Sequence, residues 1–167
     1  ICTDAAGLEK SLVTKFDFVE LHSSSVMEMV PKKFDQFLEL TRTFPYQMKA
    51  GIIRIPPFIK LVKSREEYEF ALLYVKKCME RMKRLGAETV TLGSGDAREA
   101  DLEDPKGRGI LSSFFRDIDG LCSQYDLKMG IEGISRNLCS TFNTASGVEE
   151  FVVENRLTNV GVTVDLF

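Results

Sequence analysis

The feature that most constrains the fold of this chain is the alternation of strand-like and helix-like segments along its 167 residues. Strand-like runs fall at 1–3 (a stub), 17–22, 47–52, 88–93, 128–132 and 160–165. Helix-like runs fall between them, at 7–14, 32–43, 65–85, 109–125 and 144–155. In the third helix Ala71, Val75, Cys78, Met82 and Leu85 recur at three- to four-residue spacing, one face of an α-helix, and Gly86 follows as a C-cap. Leu111, Phe114, Ile118 and Leu121 repeat the stripe in the fourth. Strands separated by helices pair in parallel, with the helices packed outside the sheet.

Two architectures satisfy that alternation, an open doubly wound sheet and a closed barrel. A sheet covered on both faces reads as near-continuous apolar strands. These strands alternate instead. Val90 and Leu92 interleave with Thr89, Thr91 and Gly93; Met129 and Ile131 with Gly130 and Glu132; Val160, Val162 and Val164 with Gly161, Thr163 and Asp165; Val19 and Leu21 with Glu20 and His22. Each set lies on one face of its strand. The apolar set is expected to meet a helix ring and the small or polar set to point into a lumen. The expected fold is therefore a (β/α)8 TIM barrel. With no linker or low-complexity stretch, residues 1–167 form a single barrel domain in this reading. Ile1 opens inside strand-like sequence without a Met, and Phe167 follows the last strand directly, so the barrel is expected to be cut at both ends, after strand six. Its sheet edges then need pairing or cover, which a homo-oligomer would give.

Net charge is -3 and no run of Lys or Arg is long enough for a basic patch, so electrostatics give no support for a nucleic-acid partner. No apolar run approaches the length of a membrane span and no leader is visible. Cys2, Cys78, Cys122 and Cys139 form no C-x-x-C pair, and His22 is the single histidine. Scattered cysteines of this kind read as reduced thiols of a cytoplasmic protein.

Active sites of such barrels lie at the C-terminal ends of the strands. Glu20, His22, Glu132 and Asp165 all fall there, in the inward phase. Carboxylates converging on one mouth repel one another, and a hard divalent cation would neutralise them. Each residue also has a plainer reading. Glu132 could face water or pair with Arg136, Asp165 could cap a following helix, and His22 and Glu20 could make structural hydrogen bonds. The run Gly93-Ser94-Gly95-Asp96-Ala97-Arg98 lacks the third glycine of a dinucleotide fingerprint and the G-K-[ST] of a P-loop, so two readings stand: its glycines permit a positive-φ turn, or the run cradles a phosphate, for which the signal is weak.

With those residues in view the chain resembles the xylose isomerase-like TIM barrel superfamily, and within it the sugar phosphate isomerase/epimerase family. Lys15-Phe16-Asp17-Phe18-Val19-Glu20-Leu21 is similar to its G-[YF]-D-x-[VI]-E-L second strand. Leu85-Gly86-Ala87 through Gly93-Ser94-Gly95 to Ala97-Arg98 is similar to its fourth. Ile131-Glu132-Gly133-Ile134-Ser135-Arg136 followed by Phe142-Asn143-Thr144, and Asn159-Val160-Gly161 through Val164-Asp165-Leu166-Phe167, are similar to its fifth and sixth. The resemblance implies that Glu132 is a metal ligand and a catalytic acid/base, and that Asp165 is a second ligand. His22, Glu20 and Arg136 are the candidate substrate-binding residues. The implied cofactor is a divalent metal (Mn²⁺, Mg²⁺, Co²⁺ or Zn²⁺) and the implied substrate a small-molecule sugar or sugar phosphate. The reaction would be proton transfer through a metal-stabilised enediolate. The remaining ligands would come from strands seven and eight.

Gly133 and Ser135 replace a proline and an asparagine of the family pattern, and Leu138 stands where epimerases often carry an acid that contacts substrate. The alternative functions are therefore a non-catalytic or divergent sugar-binding barrel and a related lyase of the inosose dehydratase type. An apurinic-site endonuclease of the same superfamily needs several histidine ligands, and this chain has one histidine.

Overall fold

The computed structural model describes residues 2–10 and 17–165. Lys15 and Phe16 of the second-strand motif, the far half of the helix expected at 7–14, Ile1, Leu166 and Phe167 lie outside them. In chain order the elements are β1 (Cys2–Thr3), α1 (Ala5–Lys10), β2 (Phe18–His22), α2 (Ser23–Met27), α3 (Pro31–Thr41), β3 (Gln47–Ile53), α4 (Arg65–Arg84), β4 (Thr89–Leu92), α5 (Gly95–Arg98), α6 (Pro105–Tyr125), β5 (Lys128–Glu132), α7 (Ala145–Glu154) and β6 (Val160–Thr163).

The six strands pair in parallel in the order β1-β2-β3-β4-β5-β6. A doubly wound sheet reverses strand order at a switch point. This one never does, so each strand–helix unit advances in the same direction, as in a TIM barrel. Among the described residues the sheet comprises six consecutive strands of that barrel.

The alternation in sequence becomes the division between core and lumen. Val19, Leu21, Val90, Leu92, Met129 and Ile131 are buried in one cluster with Ala71, Val75, Met82, Leu111, Phe114 and Ile118 of the helices. Glu20, Thr91, Gly130 and Glu132 stay partly exposed on the opposite face. The expectation fails for one strand. Val162 and Val164, assigned above to the helix-facing side, are 36% and 66% exposed, and Val160 alone of the three is buried. Hydrophobicity fixes which way a side chain points, but burial needs a neighbour, and of these three valines only Val160 joins the core cluster.

Local signals set the helix ends. Ser64 caps α4 by accepting from Glu67 N at 3.2 Å, with acids in the first turn and bases in the last. Gly86, with φ +100, closes the helix as expected. All four cysteines are free, and three are buried. Burial pushes the Cys78 and Cys122 thiols up to about 12, so both are inert core groups. No helix among the described residues is long and apolar enough to cross a membrane.

The start of β6 is anchored by a single side chain. Asp119 of α6 accepts backbone N–H groups from Thr158 (2.9 Å), Asn159 (2.6 Å) and Val160 (3.1 Å), and the Thr158 hydroxyl at 3.2 Å. Removing it orphans three donors at once. Asp119→Ala is expected to cost about 2 kcal/mol, on the scale of hydrogen bonds to a charged group. Urea unfolding checks this, and an unchanged midpoint would mean that water replaces the carboxylate without loss.

Candidate active site at the carboxyl ends of the strands

Two inward layers stack at the C-terminal end of β4–β6. In the lower layer the Thr91 and Thr163 hydroxyls meet at 3.1 Å across β5. They can do so because the residue between them is Gly130, where a Cβ would collide with Thr163 Oγ1. One inward step higher on the same strands come Gly93, Glu132 and Asp165. A Cβ on Gly93 would collide with Glu132 Oε2, so the missing side chain is the space the carboxylate occupies. Neither glycine has a positive φ, and the turn conformation expected for Gly93 and Gly95 is not what they supply. Gly93 and Gly130 allow side chains of neighbouring strands to approach, and residues 95–98 form a short helix rather than an open loop.

The structure brings Glu132 and Asp165 together. Burial raises the Glu132 carboxyl above its ordinary range, and the charge and hydrogen bond of the adjacent Asp165 carboxyl raise it further. The charges of Arg98 and Arg54 act in the opposite direction. Arg136 is exposed on the loop after β5 and makes no ion pair with Glu132 among the described residues. The residues beyond Asp165 that would decide whether it caps a helix lie outside the described set.

Glu20 and His22 form a second group, on β2. Cys2 pairs in register with Glu20, and its Sγ lies 3.4 Å from His22 Nε2. Burial and the Glu20 carboxylate raise the Cys2 thiol, so it stays protonated. Arg54, just past β3, lowers the carboxyl of Glu132 and the thiol of Cys2 by its charge. Sequence reasoning missed Cys2 and Arg54, which carry no motif.

Arg98 was quoted above only as the end of a motif, without a role. It is 0% exposed. Its Nη1 donates to the carbonyl of Leu92 at 3.3 Å and its Nη2 to the carbonyl of Glu132. No metal-binding group of three or more His, Cys, Asp or Glu side chains is present among the described residues. The arrangement offers two hard oxygen donors whose mutual repulsion a divalent cation would relieve.

A sheet of consecutive parallel strands with acids at their carboxyl ends defines a (β/α) barrel with a site at its mouth, and comparison with known proteins narrows the class. The sequence profile described as xylose isomerase-like TIM barrel matches residues 11–167, and the chain belongs to that family. Among solved structures it is similar to D-psicose 3-epimerase with D-tagatose from Clostridium cellulolyticum, with a TM-score of 0.79 at 14% identity, covering 96% of this chain and 57% of that one. It is also similar to 3-keto-D-glucoside 4-epimerase from E. coli, with a TM-score of 0.73 at 12% identity, covering 96% and 61%. A third is the IolI protein with a bound zinc atom, with a TM-score of 0.70 at 18% identity, covering 96% and 60%. At these identities the likeness is one of fold. The chain spans about three-fifths of the length of these proteins. No curated protein matches it by sequence.

Proposed function

We propose that this chain carries part of the active site of a divalent-metal-dependent sugar or sugar-phosphate isomerase or epimerase. The observation that supports this most is the convergence of Glu132 and Asp165 on one side of the lumen, at the end of the barrel where such chemistry occurs. Two carboxyl oxygens suit Mn²⁺, Mg²⁺ or Co²⁺ and are also acceptable to Zn²⁺. When bound, the cation would supply positive charge that acidifies a C–H beside a substrate carbonyl.

The chain's own residues would do the rest. Glu132, with its carboxyl raised toward neutrality, is poised to take a proton from that carbon and return it. Asp165, hydrogen-bonded to Glu132, supplies the second carboxylate of the same site. Glu20 and His22 offer an acceptor and a titratable nitrogen to sugar hydroxyls from the far side of the lumen. Arg136, exposed beside the mouth, is a basic group open to a sugar phosphate. The zinc-bearing and ketose-epimerase structures support the reading by likeness of fold. The experiment is an assay of the full open reading frame product for aldose–ketose isomerisation and ketose epimerisation with Mn²⁺, Mg²⁺ and Co²⁺. Turnover that is lost with chelator and restored by one of these ions supports the proposal, and metal-independent turnover overturns it.

A sugar-binding barrel without turnover is the second reading. It draws on Leu138, 69% exposed on the loop after β5 where epimerases of the family often place an acid. Sugar binding that needs no metal, with no turnover, would select it.

Gly93 gives a further test. Gly93→Ala puts a methyl group where Glu132 Oε2 lies. A flexible carboxylate can yield, so the fold is expected to survive while the carboxylate is displaced from Asp165. Misplacement of that order costs about 10²-fold in turnover. Steady-state kinetics beside a thermal melt checks the split.

A further inference from the structure

The cation at the mouth is buried without a carboxylate against it. Arg98 is fully enclosed, makes no ion pair within 4 Å among the described residues, and its Nε–H has no partner there. A buried charge left in that state is costly, and such a residue persists where something else depends on it.

Its seat is built from two loops. The guanidinium spans the carbonyls of Leu92 and Glu132, the last residues of β4 and β5. It lies 5.5 Å from the centroid of the Phe142 ring, and Phe142 takes φ +56, a left-handed conformation rare for an aromatic residue. The Thr141 hydroxyl donates to the Arg98 carbonyl at 3.1 Å. Both Glu99 carboxylate oxygens accept the Ser140 N–H at 3.1 Å, and the Ser140 hydroxyl donates to the Ala100 carbonyl at 2.9 Å. The loop after β4 and the loop after β5 are thus tied to each other around this one side chain. A planar fork can reach two carbonyls at once, which an ammonium group cannot do in the same way.

We propose that Arg98 is a positioning residue. By bridging the ends of β4 and β5 it fixes Glu132 against the space left by Gly93, and its charge offsets the paired carboxylates from behind. This rests on the reading of Glu132 as a metal ligand. It needs no contact between Arg98 and substrate.

The test uses Arg98→Met and Arg98→Lys in the full open reading frame product. Mn²⁺ is titrated by the paramagnetic resonance signal of the free ion, with far-UV circular dichroism to establish folding. Arg98→Met is expected to weaken Mn²⁺ binding by about tenfold or more, the range for residues that orient a ligand. Arg98→Lys, which keeps the charge but not the bridge, should weaken it by a smaller factor. A folded Arg98→Met protein with unchanged Mn²⁺ affinity overturns the proposal. Should that variant not fold, unchanged affinity in Arg98→Lys overturns it equally.

If the unmodified protein binds no Mn²⁺, the metal reading fails by itself, and the link between Arg98 and Glu132 is read from urea midpoints. The shift caused by the Arg98 variant that folds should then be smaller in the Glu132→Gln background than alone. Additive shifts overturn the charge offset between Arg98 and the Glu132 carboxylate, because glutamine removes that charge while keeping the backbone carbonyl.

Discussion

Glu132→Gln is expected to lower isomerase or epimerase turnover by about 10³-fold, within the range attributed to a positioned general acid or base. The amide keeps the shape of the carboxyl but cannot take up a proton from carbon. The same substitution should not weaken the fold. Burial and Asp165 raise the Glu132 carboxyl above its ordinary value of 4.5. The folded chain therefore holds that proton more tightly than the unfolded chain. The stability this confers is present below the unfolded value and is lost as pH rises through the raised folded value. Above that window the ionised carboxylate works against folding, and glutamine removes the effect. Metal-free Glu132→Gln protein should thus unfold at a higher urea concentration than the unmodified protein at neutral pH, with the difference vanishing in acid. Full turnover in the folded variant would sink the functional reading, whatever the stability result.

The acids are the part of the site that can be read from the sequence. Glu132 breaks the apolar-out, small-in rhythm of its strand at the last position, where an ionisable group is expensive, and the rhythm can be read in sequence. Asp165 stands in the same phase on the next strand. Arg98 could not be recognised in this way. Its burial comes from the closing of two loops more than 30 residues apart in sequence, and a G-x-G-x-x-R run reads locally as a turn. Cys2 beside His22 has the same difficulty, because the two meet only through parallel pairing of β1 and β2.

The elements that escaped the sequence reading also have physical reasons. The fourth helix of the sequence reading starts at 109, yet α6 begins at Pro105. Asp104 caps it by accepting from Lys106 N and Gly107 N, and proline takes the first turn. Gly107 and Gly109 obscured that start, since glycine is a poor helix former. At Gly107 a Cβ would meet the Asp101 carbonyl oxygen at 2.8 Å, so close packing there requires the glycine. Residues 23–27, rich in serine, carry no apolar stripe and fall outside the helix-like runs of the sequence. They form α2 because Val26 is buried and Arg81 of α4 donates to the carbonyls of Val26 and Met29.

Phe115→Ala is expected to be among the most destabilising single changes in the chain, at about 4 kcal/mol on the scale of buried phenylalanine truncations. Phe115 is fully buried on α6. Its ring meets Phe114 at 5.6 Å, Phe151 of α7 at 5.6 Å and Phe142 at 5.9 Å between centroids, all edge to face. These contacts add to the area term, and the rigid rings around the site cannot collapse into the space left. The damage should not stay in the core. Phe142 is held in its left-handed conformation between Phe115, Phe151 and the Arg98 guanidinium. Loss of one wall frees that ring, and with it the seat of the residue that bridges the ends of β4 and β5. Phe115→Leu, which keeps most of the volume, should cost less than half as much and leave Arg98 in place. Urea unfolding of both variants measures the first effect, and Mn²⁺ affinity of the folded fraction measures the second. If Phe115→Ala unfolds early yet binds Mn²⁺ as tightly as Phe115→Leu, the aromatic cluster supports the fold without reaching the site.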